Sequence, residues 1–160
     1  MSNTTKFKQL ILLFGDFFIL YLTLYWTLFL RYQALPDSNL WQSHLQIFTP
    51  IFIGWVIVFY IADFYNIHAL KNSFEFNKKW GMVLGINTLL AIAVFYFLPN
   101  ETGLTPKTNL LLFALNFGIF GFIWRRLYNI FLRQGEAQNK ILLVGNGPVA
   151  EKIFNHINLN

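Results

Sequence analysis

Cysteine is absent from the 160 residues, so no disulfide and no thiolate-based metal or redox site can form. Histidine is scarce, and His44, His68 and His156 stand too far apart for ligand spacing. Charged residues make up 12% of the chain, against about 25% in a soluble domain. Acidic residues are fewer than basic ones, leaving a net charge of +5. The basic residues lie in short segments beside apolar runs, so no basic face remains and no nucleic-acid partner is expected. What is abundant is apolar surface: 56% hydrophobic and 19% aromatic residues. A soluble chain this short could not bury so much, and the surplus calls for a lipid bilayer as partner.

Four apolar runs stand out, at about 10–30, 47–64, 80–98 and 110–128. Each is long enough to cross ~30 Å of hydrocarbon as a helix. Backbone amides cannot stay unpaired in lipid, and no run alternates as a barrel strand would. The expected fold is therefore an all-α transmembrane four-helix bundle over residues 1–132. The first run follows Lys6 and Lys8 but is too long for a signal-peptide core, and no small-residue cleavage site closes it. Short connections with breakers, such as Ala34-Leu35-Pro36-Asp37, favour antiparallel neighbours.

Lysine and arginine set the expected orientation. Lys6 and Lys8, then Lys71, Lys78 and Lys79, then Arg125, Arg126, Arg133 and Lys140 fall on one side. The other two loops hold only Arg31 and Lys107. The positive-inside rule then puts both termini in the cytosol. Trp80, Trp124 and Tyr128 are expected as inner interface anchors, and Trp26, Tyr32 and Tyr96 as outer ones.

Beyond the fourth run the character changes. Residues 133–139 are polar and read as a linker. Residues 140–160 read as the start of a truncated Rossmann-like α/β module. Lys140-Ile141-Leu142-Leu143-Val144 suits a buried strand. Gly145-x-Gly147-x-x-Ala150 then fits a nucleotide-type turn: one glycine for the turn, one for phosphate approach, a small residue for packing. Glu151–Ile157 would open the helix. The acidic residue that completes the fingerprint would lie beyond Asn160, so the expected state of Gly145, Gly147 and Ala150 in this chain is a turn that binds no cofactor.

Polar residues inside the runs are few. Asp16 lies ~10 Å from the inner face and is expected to pair structurally, with Asn87 or with an arginine of the fourth span. Asp63 and the Lys71–Lys79 loop read as topology signals, and also offer a seat for anionic headgroups or a polyprenyl phosphate. Gly81-x-x-x-Gly85, Gly118 and Gly121 allow close helix contact within the bundle or in a homodimer. No nucleophile–base pair, paired carboxylates or metal cluster can be assembled, so no catalytic or metal-binding residue is assigned.

Several segments carry a family resemblance: Gly15-Asp16, Arg31, and Ala62-Asp63-Phe64-Tyr65-Asn66. The most specific are Leu104-Thr105-Pro106-Lys107-Thr108-Asn109-Leu110 and Trp124-Arg125-Arg126-Leu127-Tyr128, followed by Lys140–Ala150. Together they resemble the N-terminal part of the large bacterial polyprenyl-phosphate phosphoglycosyl transferases, the undecaprenyl-phosphate glucose or galactose phosphotransferases. The resemblance implies transfer of a sugar-1-phosphate from a nucleotide sugar to undecaprenyl phosphate, initiating surface glycan assembly. It also implies a later catalytic domain with a re-entrant helix, an Asp-Glu pair and magnesium, expected beyond Asn160. This chain alone is then expected to be an inactive membrane anchor. The alternatives are the anchor of a membrane-bound nucleotide-sugar 4,6-dehydratase, or a stand-alone, non-enzymatic membrane oligomerisation module working through its glycine-spaced faces.

Overall fold

A computed structural model of the chain describes residues 3–66, 74–97 and 106–135. The described residues are all-helical. They form α1 (Asn3–Tyr32), α2 (Ser38–Ile61), α3 (Phe74–Phe97) and α4 (Pro106–Gly135). All four are long and apolar enough to cross a membrane. The shorter pair, at 24 residues, reach ~36 Å at 1.5 Å per residue, which exceeds the hydrocarbon thickness. The strand and glycine turn expected over 140–160, with Gly145, Gly147 and Ala150, lie outside the described residues.

The helix ends differ from the apolar runs because caps, not hydropathy, set them. α2 begins at Ser38, nine residues before Ile47, where the Asp37 carboxylate accepts from the Leu40 amide at 2.7 Å. Its polar first turns belong to the helix because His44 and Phe48 face inward. α2 also stops early, at Ile61 rather than Phe64. Asp63 N–H donates to the Tyr60 carbonyl and Phe64 N–H to the Phe59 carbonyl, each at 3.0 Å. That pair of bonds is a Schellman C-cap, with Asp63 in the left-handed position at φ 54°. The Phe59 and Phe64 rings meet edge to face at 5.9 Å and supply its usual apolar contact. α4 opens on Pro106, where a missing N–H leaves no gap in the ladder. It continues through Arg133, Gln134 and Gly135, the first residues of the expected linker.

The helices form a ring in chain order. α1 packs on α2 and α4, and α3 packs on the same two, while the diagonal backbones stay apart. Aromatic rings fill the centre. Phe48, Phe52 and Trp55 of α2 meet Phe113 of α4 at centroid distances of 5.5, 5.2 and 5.4 Å. Phe117 continues the column against Trp55, Phe59 and Trp80. α1 and α4 share the largest interface because Gly15 lets the Trp124 indole lie directly on the α1 backbone; a Cβ there would fall within the ring. Gly118 and Gly121 likewise admit Leu84 and Trp80 of α3.

Trp80 and Tyr128 are therefore core residues, not free interface anchors. Both are nearly buried, and Trp80 donates its indole N–H to the Gly118 carbonyl at 3.1 Å. Trp26 and Tyr32 remain exposed, as anchors would. The outer surface is apolar. Phe14, Phe18, Ile57, Leu89, Leu115 and Phe131 each stand more than half exposed. In water such a surface would aggregate, whereas lipid solvates it. The described chain has the form of a multi-pass membrane protein.

Candidate functional site

Two polar networks stand near the ends of this bundle, with scattered polar groups such as Asn87 and the Asn116–Thr27 pair between them. At the end bearing Lys6 and Lys8, the deepest is Asp16 on α1, 2% exposed. Arg125 Nη2 on α4 lies 2.5 Å from its Oδ2, and the Tyr65 hydroxyl donates to the same oxygen at 2.9 Å. Arg125 Nη1 also donates to the Phe64 carbonyl at 3.1 Å. Its guanidinium stands over Phe64, Phe59, Trp80 and Tyr65, 4.7 to 5.6 Å from their ring centres. Cation–π attraction in a desolvated box adds to the ion pair. Burial, and then the Asp16 carboxylate, hold the Tyr65 hydroxyl well above the ordinary tyrosine range, so Tyr65 stays a proton donor.

Asp16 was expected to pair with Asn87 or with an arginine of the fourth span. The arginine is its partner. Asn87 is not, because α3 stands diagonally across the ring from α1. Asn87 is fully buried, and neither of its side-chain polar atoms has a hydrogen-bond partner. An orphan amide of this kind lowers stability by roughly 1–3 kcal/mol.

The opposite end carries a second network. Arg31 Nη1 donates to Asn109 Oδ1 at 2.5 Å, and Asn109 Nδ2 faces His44 Nε2 at 2.8 Å. His44 Nδ1 reaches the Leu40 carbonyl at 2.8 Å. The chain of partners settles the tautomer. A carbonyl can only accept, so Nδ1 carries the hydrogen and Nε2 accepts from the Asn109 amide. Three helices are joined by it: α1, α4 and α2. His44 was set aside at the sequence level for want of ligand spacing. The clue to this network was Asn109, one residue inside the Thr-Pro-Lys-Thr-Asn-Leu segment.

The C-cap of α2 borders a cleft of about 440 Å³ lined by Gln9, Tyr60, Ile61, Asp63, Tyr65 and Asn66. Gln9 Nε2 donates to the Tyr65 carbonyl at 3.0 Å and ties the turn to α1. Asp63 itself is exposed. Chemically, the two networks are clamps. The Asp16 carboxylate is held by an arginine and a phenol, which disfavours any role as a base. Among the described residues no three His, Asp or Glu converge as metal ligands. Comparison with family models, with curated proteins and with solved structures finds no match to this chain.

Proposed function

We propose that this chain is the membrane-anchoring N-terminal part of an undecaprenyl-phosphate sugar-1-phosphate transferase, with both ends in the cytosol of a bacterial plasma membrane. One observation carries the reading. The two segments most specific to that resemblance each supply α4's contribution to a buried polar network. Asn109, from Thr-Pro-Lys-Thr-Asn-Leu, joins Arg31 and His44, and Arg125, from Trp-Arg-Arg, joins Asp16 and Tyr65. Asp16, Arg31, Phe64 and Tyr65, which also belong to the resemblance, are among their partners. Residues of the resemblance thus recur in both bundle clamps, the kind of pattern an anchor of one family would carry.

The magnesium that such transferases use does not fit the described residues. Asp16 is committed to Arg125, and Asp63 stands without a second carboxylate in its cleft. A magnesium ion and positioned charge around the donor phosphates belong to the expected domain beyond Asn160.

The test is to express the reading frame extended past Asn160 beside the 160-residue chain. Each is purified and incubated with radiolabelled UDP-glucose or UDP-galactose, undecaprenyl phosphate and magnesium. Lipid-linked product from the extended protein alone supports the proposal. Conversion of the nucleotide sugar to a 4-keto product with NAD would assign the anchor to a dehydratase. Product from the short chain would overturn the claim that the chemistry lies elsewhere.

A further inference from the structure

The left-handed position of a Schellman cap is most often glycine, because glycine meets no Cβ penalty there. Here it is Asp63, at φ 54°. Aspartate tolerates this conformation better than most residues, yet less well than glycine. A strained position held by a charged side chain points to a role for that side chain. The turn around it is fixed on every side. Phe64 is held by Arg125, Tyr65 by Asp16 and Gln9, and the Asn66 amide by the Asp63 carbonyl at 3.2 Å. The exposed Asp63 lines the 440 Å³ cleft, and among the described residues it forms no ion pair.

The lining selects the ligand. Among the described residues that line the cleft, Asp63 alone is charged, and its carboxylate attracts a cation. One carboxylate is too few for a divalent ion, which needs several oxygen ligands. A primary ammonium fits, with three donors to place. Asp63 can accept one. Gln9 offers its Oε1, since its Nε2 is bonded to the Tyr65 carbonyl. The exposed Tyr60 offers a ring face to the cation. Tyr60 and Ile61 are each 73% exposed on the last turn of an apolar span, so whatever enters the cleft lies beside acyl chains. Lys6, three residues before Gln9 on the same helix face, supplies a positive charge for a phosphate next to the ammonium.

We propose that the α1/α2 cleft is a binding site for the ethanolamine headgroup of a phospholipid, with Asp63 as its ammonium receptor. The site goes beyond the anchoring role and stands independently of which enzyme the anchor serves.

Native mass spectrometry of the purified chain with POPE, POPC or POPG tests it. The wild type should retain POPE in preference to both others. Asp63→Asn and Asp63→Gly should each weaken POPE retention about tenfold, the loss expected for one charge-assisted hydrogen bond. Both substitutes suit φ 54° at least as well as aspartate, so the thermal midpoint should hold or rise while binding falls. Glu75→Gln, an exposed carboxylate at the start of α3, should leave POPE retention unchanged. Excess glycerophosphoethanolamine, the headgroup without acyl chains, should displace little lipid. Equal POPE retention by Asp63→Asn would overturn the proposal. So would equal binding of POPC, a preference for POPG, or full displacement by the soluble headgroup.

Discussion

Arg125 and Asp16 lie 109 positions apart in the chain, and their charged atoms meet at 2.5 Å with both side chains at most 2% exposed. The pair fixes how far α4 slides along α1, because neither charge can be left alone in lipid. It also recruits the turn after α2, through the Phe64 carbonyl and the Tyr65 hydroxyl.

Breaking this pair from one side should be expensive. Asp16→Asn or Arg125→Met is expected to destabilise the detergent-solubilised chain by about 3–5 kcal/mol, because an uncompensated charge or a severed network remains. The double variant should lose less than the sum of the two. Thermal unfolding of all four proteins gives the coupling. Asp16→Asn in the extended protein should leave turnover by the folded fraction largely intact. Lost turnover in fully folded protein would make Asp16 more than a clamp.

The second network should respond in the same sense but more mildly. Asn109→Leu removes one partner of Arg31 and the donor to His44 Nε2. The expected loss is about 1–3 kcal/mol, the desolvation penalty of the buried His44 ring nitrogen left without its donor. Chemical denaturation in detergent reads it directly. His44→Phe combined with Asn109→Leu should recover part of the loss, since the orphaned imidazole is gone.

Glycines inside the apolar helices should behave oppositely. A Cβ at Gly15 meets the Trp124 indole, so Gly15→Ala should destabilise by about 1–3 kcal/mol through overpacking. Nothing lies within 4 Å of a Cβ at Gly81 or Gly85. Alanine there should stabilise a monomer by up to ~1 kcal/mol through helix propensity. If Gly81 and Gly85 seat a second copy, isoleucine at both should shift a detergent dimer to monomer in light scattering.

Topology is open to direct labelling, and the absence of cysteine means no background needs removing. Single cysteines at Asp37 and Glu101 should react with an impermeant maleimide added outside intact cells. Cysteines at Asn72 and Gln138 should react only after permeabilisation. Outside labelling at Asn72 would reverse the orientation read from lysine and arginine.

Sequence alone determined the number of spans and the kind of solvent they need. Hydropathy does that locally: an unbroken apolar run must pair its own backbone amides in lipid, whatever its neighbours are. The arginine partner of Asp16 was also within reach, because charges at matching depth have few alternatives. Only tertiary structure decided which faces turn inward. α3 has apolar residues all round, so nothing in its pattern says that Gly81 and Gly85 face out while Trp80 faces in. The ring order of helices put Asn87 out of reach of Asp16. It also brought His44, Asn109 and Arg31 together from three helices, and stapled the Asp63 turn into a cleft. Helix ends followed the same division. Asp37 and the Asp63 turn set the two ends of α2 through a few hydrogen bonds and one backbone angle, and these act over a few ångströms where a hydropathy window averages over many residues.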